Sequence, residues 1–187
     1  MTLRAIMPPT TPPTKNAPGA LGTLQSFLNT AHTTNGRIDT PEQLRGWLTR
    51  HSLIQDGSFI DEDAWRDALE LRRDLGHFLR ASRKQPCPPE VLARLNDPLE
   101  WRFDVQLEAD GRITQTPLLR DKWPGVRQRL LHLVITAVGS HEWKRLRFCD
   151  NDVCPWVFYD STTNRKGRWC RPRCGNVVIQ RQRRRLL

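Results

Sequence analysis

Two close pairs of cysteines constrain this sequence more than any other feature. Cys149 and Cys154 form the first pair, and Cys170 and Cys174 form the second pair after a spacer of fifteen residues. Each pair can close a short loop around one ion, and the spacer lets the second pair approach from the opposite side. Because Zn²⁺ is a borderline-soft cation that binds thiolates well, the spacing predicts one zinc ion held by four cysteines.

Other interpretations of the same four cysteines remain open. They could form disulfides, bind a different metal, or be unrelated free thiols. Zinc is favoured because clustered cysteines in a reducing compartment more often bind metal than form disulfides. A shell of four protein ligands leaves no open position for a water molecule, so we expect a structural metal and no enzymatic activity.

Positive charge is concentrated in the same part of the chain as the cysteines. The protein has 187 residues and a formal net charge of +10. Residues 141–187 contain 12 Lys and Arg against 4 Asp and Glu, whereas residues 1–140 contain 18 against 16. This asymmetry predicts a near-neutral body and a basic segment that binds a polyanion, nucleic acid first and an anionic membrane surface second.

The first residues do not resemble a secretory signal. Residues 1–18 lack an apolar stretch, and the longest apolar run, residues 130–138, is too short to span a bilayer. We therefore expect a soluble, cytoplasmic protein with no membrane partner. Residues 1–19 are rich in Pro and Thr, which predicts a disordered tail.

Residues 20–140 predict a mainly helical domain, because apolar residues recur there at helical spacing. Thr40 and Asp61 stand where helix N-caps are expected, and Pro41 suits a first helical position. Helices are predicted over residues 21–31, 40–48, 61–82, 88–95 and 124–138. Between the last two helices the period changes to alternation, which predicts a β-hairpin over residues 101–107 and 113–118 with its turn at Asp110-Gly111.

Residues 141–187 predict a treble-clef-like zinc finger built from a β-hairpin and a helix. Trp156, Phe158 and Asp160 alternate with Val157 and Tyr159, which predicts a β-hairpin around the first cysteine pair. Residues 175–185 can form a helix with Cys174 in or near its first turn. Trp156 and Trp169 are predicted to pack around the metal. A unit this small buries little apolar surface, so we expect the metal to supply most of its folding free energy, about 10 kcal/mol.

Basic and amide side chains surround the second cysteine pair and continue along the predicted C-terminal helix. Arginine and lysine neutralise phosphates, and amides can read base edges, adenine most readily. The alternative is a solvated basic terminus that contacts nothing. We predict nucleic-acid contacts from Arg165, Lys166, Arg168, Arg171, Arg173, Asn176, Gln180, Arg181, Arg183, Arg184 and Arg185.

These residues carry a resemblance to a known family. The stretch from Leu146-Arg147-Phe148-Cys149 through Cys154-Pro155-Trp156 to Cys174-Gly175-Asn176 resembles the CGNR zinc finger. Upstream, Phe27-Leu28-Asn29-Thr30 followed by Trp47-Leu48 is similar to the ABATE domain, which usually precedes that finger. The resemblance covers about residues 20–187. The arginine that completes the family motif is replaced here by Val177.

The resemblance implies a bacterial, stress-responsive transcription regulator. Its finger would bind DNA, and its N-terminal domain would form a homodimer or bind a small-molecule effector. We therefore predict a zinc-dependent DNA-binding transcription regulator. Two other functions fit the same residues: an RNA- or ribosome-associated zinc protein, and a protein–protein interaction module in which zinc is only a scaffold.

Overall fold

The computed structural model describes residues 12–33, 36–81, 86–97, 103–117 and 122–185. Over these residues the chain forms six α-helices, two antiparallel two-stranded sheets and a short 3₁₀ turn at Trp143–Arg145. The helices are α1 (Gly19–Asn29), α2 (Pro41–Arg50), α3 (Glu62–Ala81), α4 (Pro89–Leu95), α5 (Trp123–Gly139) and α6 (Pro172–Arg185). The strands are β1 (Phe103–Leu107), β2 (Ile113–Pro117), β3 (Leu146–Phe148) and β4 (Val157–Tyr159). The predicted fold class, mainly α with a small hairpin and a finger-like C-terminal unit, is confirmed.

Local signals set where two of the helices begin. The Thr40 side chain accepts a hydrogen bond from the Gln43 amide at 3.3 Å, and Pro41 is the first residue of α2. The Asp61 carboxylate accepts one from the Ala64 amide at 2.7 Å, just before α3. Each cap satisfies an amide that has no partner within its own helix, as the sequence predicts.

The helical core is formed where α1 and α3 pack on each other and on α5. Leu24 and Phe27 of α1, Leu71 and Leu75 of α3, and Leu130 of α5 are almost completely buried there. Burying each such side chain contributes about 1.5–3 kcal/mol. None of the helices within the described residues has the length and apolarity needed to cross a bilayer.

The hairpin β1–β2 has the predicted position and turn. Leu107 pairs with Ile113, and Gly111 adopts a φ of 81°, a left-handed conformation that glycine adopts without strain. β2 lies against α5. Trp101 and Leu118, which were included in the predicted strands, lie outside the described residues.

The C-terminal unit consists of the hairpin β3–β4 followed by α6. α6 begins at Pro172, three residues before the predicted start at Gly175. Proline is favoured at the first position of a helix because its fixed φ is already helical and its missing N–H would have no partner there. Cys174 therefore lies in the first turn, as expected.

Residues 12–18 correct the prediction that the whole of residues 1–19 is disordered. The Lys15 carbonyl accepts hydrogen bonds from the Tyr159 amide at 3.0 Å and from the Gln25 side chain at 2.9 Å. The Lys15 ammonium donates to the Trp169 carbonyl at 3.2 Å. Composition alone indicated disorder, but distant groups on α1 and the finger provide partners for this backbone. Residues 1–11 lie outside the described part of the chain.

Candidate metal centre and nucleic-acid interface

The four cysteines of the two pairs meet at one point. Their Sγ atoms all lie within 4.8 Å of one another, and all four residues are buried. The Cys170 sulfur is 3.6 Å from the sulfurs of Cys154 and Cys174. Sulfurs bound to one tetrahedral zinc ion at about 2.3 Å would lie roughly 3.8 Å apart, whereas disulfide sulfurs lie about 2.0 Å apart. The donor set and its spacing therefore fit zinc and do not fit disulfides.

Backbone hydrogen bonds around the sulfurs hold each cysteine in position. The Cys149 amide donates to the Trp156 carbonyl at 3.0 Å, which extends the β3–β4 ladder to the first ligand. The Cys154 amide closes a turn onto the Asn151 carbonyl at 2.8 Å. The Cys174 amide donates to the Arg171 carbonyl at 3.1 Å in the first turn of α6. Three local structures thus direct thiols to the same centre: the end of the β3–β4 hairpin holds Cys149, a turn holds Cys154, and the first turn of α6 holds Cys174.

The thiols at this centre strongly perturb one another. Hydrogen bonds from Cys154 and Cys170 lower the pKa of Cys149. The same hydrogen bonding to Cys149 raises the pKa of Cys154 and of Cys170. Four sulfurs at this spacing need a cation before all of them can lose their protons, and Zn²⁺ would supply that charge.

Two tryptophans pack around the cysteines, which confirms the prediction for Trp156 and Trp169. Trp156 is fully buried and Trp169 is half-buried against the same cluster. Gly175 lies against the Trp169 ring, and a Cβ at this position would come within 2.8 Å of the ring atoms. The guanidinium of Arg168 lies 4.7 Å from the Trp169 ring centre. The ring therefore contacts a cationic side chain as well as the cysteine cluster.

A buried ion pair braces the loop between β4 and the second cysteine pair. The Asp160 carboxylate accepts hydrogen bonds from Arg147 at 3.1 Å, from the Thr162 hydroxyl at 2.6 Å and from the Gly167 amide at 2.8 Å. Burial alone would raise the pKa of Asp160, but the hydrogen bonds from Thr162 and Arg147 outweigh it and lower that pKa. This role of Asp160 was not predicted. Its local signal is an Asp directly before Ser161-Thr162, since Asp side chains often hydrogen-bond the backbone of a turn.

Five of the predicted nucleic-acid contacts share one exposed face of α6. They recur at i, i+3, i+7, i+10 and i+11, a spacing that places side chains on one side of an α-helix. The opposite side carries Cys174 and Gly175, which are buried, and Val178, which is half-buried. The exposed face consists of Arg173, Asn176, Gln180, Arg183 and Arg184.

The other predicted contacts are distributed around that face. Arg165 and Lys166 are exposed on the loop braced by Asp160. Three arginines have partners within the chain: Arg168 with Asp150 at 2.9 Å, Arg171 with the Pro12 carbonyl, and Arg181 with Asp152 at 3.0 Å. The Arg168 and Arg181 contacts are surface ion pairs, which contribute about 0–1 kcal/mol, so these two arginines can exchange their partner for a phosphate. Arg185 ends α6, and its side chain lies outside the described part.

Side chains from α1 join the finger to the helical domain. Asn29 donates to the Val157 carbonyl at 2.8 Å and accepts from the Val157 amide at 2.9 Å. Gln25 donates to the same carbonyl at 3.2 Å. The two units are therefore linked by buried hydrogen bonds. This link was not predicted, because the two units were predicted as separate segments of the sequence.

Comparison with known protein families agrees with this division of the chain. Residues 23–139 match the ABATE model, described as "Putative stress-induced transcription regulator". Residues 145–185 match the CGNR zinc finger. No curated protein matches the chain. The ABATE match covers more than half of the sequence, and the two matches follow one another as the resemblance implied. The chain belongs to the ABATE family and carries a CGNR zinc finger after its ABATE domain.

Proposed function

We propose that this protein is a zinc-dependent, DNA-binding transcription regulator that acts in the cytoplasm. The observation that carries the proposal is the exposed face of α6, where cationic side chains flank two amides. Arg173 stands near the start of this face, Asn176 and Gln180 lie in its middle, and Arg183 and Arg184 lie near its end. The family match to a transcription regulator and a zinc finger supports the same function.

The face of α6 has the chemistry that duplex DNA requires. The major groove of B-DNA is about 12 Å wide and admits an α-helix. Arginines at both ends of the face would contact phosphates, while Asn176 and Gln180 in the middle would reach base edges, adenine most readily. Arg165 and Lys166 on the neighbouring loop would add phosphate contacts.

The zinc ion is proposed to be structural, with one ion per chain and no enzymatic role. Four buried thiols would fill a tetrahedral shell and leave no position for a substrate or a water molecule. Its contribution would be to fix α6 on the β3–β4 hairpin and so to hold the DNA-contacting face in one orientation. The helical domain would then serve dimerisation or effector binding.

The test is the salt dependence of binding to a duplex of random sequence. Replacing Arg173, Arg183 and Arg184 by Gln should weaken binding and reduce the slope of log K against log salt by up to about 2.7, since each phosphate contact contributes about 0.9. The matched control replaces three exposed arginines of the helical domain, Arg45, Arg50 and Arg66, and removes the same charge.

The control variant is expected to keep the wild-type slope. An unchanged slope in the α6 variant, or an equal loss in both variants, would overturn the assignment of this surface. A structured RNA measured at the same salt separates the two nucleic acids. Tighter binding to RNA, with the same loss in the α6 variant, would replace DNA by RNA as the partner.

A further inference from the structure

A cationic cleft of about 220 Å³ lies between α1, α3 and β3, apart from the exposed face of α6. Its walls include cationic and titratable groups from two elements as well as apolar surface. The charged or titratable side chains are His32, Arg72, Arg73, His77 and Arg80. The apolar surface is provided by Leu28, Leu69 and Phe148.

Within the described part of the chain, the arginines of this cleft form no ion pair with a carboxylate, unlike two other arginines of the helical domain. Arg94 pairs with Asp74 at 2.7 Å, and Arg127 pairs with Asp67 at 2.9 Å. Within the described residues, none of the ion pairs involves Arg72, Arg73 or Arg80.

Neutral groups hold two of these arginines in the cleft. Arg72 donates to the Thr30 hydroxyl at 2.9 Å, and the Arg80 guanidinium lies 3.7 Å from the centre of the Phe148 ring. Burial lowers the pKa of both arginines, and it also lowers the pKa of His32, with a further contribution from Arg72. Arg72 is therefore half-buried without an ion pair among the described residues, and the Asp39 carboxylate, which lies beyond ion-pair distance, offsets only part of the effect of burial on its pKa.

We propose that this cleft binds a small free ligand that carries a phosphoryl group. The planar guanidinium matches the oxygens of a phosphoryl group with two parallel hydrogen bonds. Arg72 and Arg80 both line the cleft from one side of α3, about two helical turns apart. The volume is below the roughly 300–1,000 Å³ of pockets for drug-sized ligands, so it suits a phosphoryl group with a short body. The Phe148 ring and Leu28 would contact that body.

The concave shape favours a small ligand over a DNA backbone. Duplex phosphates are contacted by side chains that project from a surface, as they do on α6, whereas these groups surround a recess. The cleft also borders the metal centre, since Phe148 directly precedes Cys149 and the His32 ring is 6.2 Å from the Trp156 ring. An occupied cleft would thus contact residues that support the finger. This proposal does not depend on DNA binding.

The experiment titrates inorganic phosphate and pyrophosphate into the zinc-loaded full chain at constant ionic strength, with chloride as the reference anion. Saturable heat on titration and a rise of Tm that follows ligand concentration are expected. Arg72→Gln and Arg80→Gln should each weaken binding about tenfold or more, because each removes a charge-assisted hydrogen bond. Arg66→Gln is the matched control: it removes one charge from an exposed site on the same helix, paired with Glu62.

Three results would overturn the proposal. The first is the absence of saturable binding of both phosphate and pyrophosphate. The second is an equal loss of affinity in Arg66→Gln, which would indicate general charge attraction. The third is a combination of two observations: phosphate competes with duplex DNA, and Arg80→Gln reduces the salt dependence of DNA binding. Together they would make the cleft part of the DNA-binding surface. Arg80 is exposed, so its variant decides the matter even if Arg72→Gln unfolds.

Discussion

Gly175 shows how a single missing side chain shapes the finger. Its Cα faces the Trp169 ring in the first turns of α6, and a Cβ built there would approach the ring atoms to 2.8 Å. The ring cannot easily withdraw, because it is packed against the cysteine cluster and beside the Arg168 guanidinium. Close contact between α6 and the Trp169 ring therefore requires glycine at this position.

Gly175→Ala is expected to destabilise the finger. Alanine alone would favour the helix by about 1 kcal/mol over glycine. The clash with Trp169 is expected to outweigh this gain, since overpacking costs about 1–3 kcal/mol. Faster zinc release to a chelator than in the wild type measures the effect. Gly139→Ala is the control, because a Cβ there meets no atom within 4 Å. A variant that releases zinc at the wild-type rate would contradict the role given to Trp169.

Residues whose partners are close in sequence could be predicted, and residues with distant partners could not. The cysteine set follows from spacing within each pair, and the structure brings all four together. The sequence also marked Arg181 as a nucleic-acid contact, but its guanidinium pairs with Asp152. That partner lies 29 residues away, so no local pattern separates Arg181 from Arg183, which is exposed.

Among the elements, β4 has an unusual arrangement at its outer edge. One edge of β4 pairs with β3. The backbone groups of the other edge form hydrogen bonds with a side chain of α1 and with the backbone of the segment before α1. The Asn29 side chain forms hydrogen bonds with both the amide and the carbonyl of Val157, and the Lys15 carbonyl accepts a hydrogen bond from the Tyr159 amide. An exposed strand edge invites pairing with another chain, and this cover removes that possibility while it joins the finger to α1.

Asn29→Leu is expected to break this link without changing side-chain volume greatly. The Val157 amide would remain buried with its Asn29 partner removed, at a cost of about 1–3 kcal/mol, whereas the Val157 carbonyl would keep the hydrogen bond from Gln25. Thermal unfolding of the zinc-loaded protein should therefore show a lower Tm. Gln106→Leu, the same kind of exchange on exposed β1, should leave Tm nearly unchanged. Equal Tm values for the two variants would show that the Asn29 contacts contribute little.

Element boundaries were predictable to the extent that their signals are local. Thr40 and Asp61 cap helices through amides three residues away, and both caps could be predicted from the sequence. Asn29 could be singled out only as part of a family motif, because its partner Val157 lies 128 residues further along the chain. The cover of β4 by Lys15 was missed for the same reason, since Pro-rich composition carries no information about a distant strand edge.

For the whole molecule, the two family units share one apolar core and differ in what stabilises them. Leu146, Val157 and Trp143 belong to the same buried cluster as the helices. The finger's own cluster contains the four cysteines together with Trp156 and Phe158, its largest fully buried side chains. Helix packing stabilises the first unit, whereas we expect the second unit to need a metal ion bound to its four thiols.

Removal of the metal is therefore expected to unfold the finger and to weaken, but not abolish, the helical domain. Protein purified without chelator should contain about one zinc per chain, with four thiols protected and Cys87 reactive. Addition of a chelator, or the substitution Cys170→Ser, should release the metal. The helical signal of α6, which has 14 residues, should then be lost, whereas the signal of α3, which has 20 residues, should persist. Tm of the remaining domain should fall, because Leu146 and Val157 leave the shared core.

Elemental analysis, a thiol count and far-UV circular dichroism on the same samples measure these three effects together. Cys87→Ser serves as the control for metal content, which it should not change because Cys87 lies outside the four-cysteine cluster. Wild-type metal content in Cys170→Ser would contradict the four-ligand site. Complete loss of helical signal after chelation would instead show that the ABATE domain cannot fold without the finger. In that case the hydrogen bonds to the edge of β4 and the shared core would make the two units one cooperative structure.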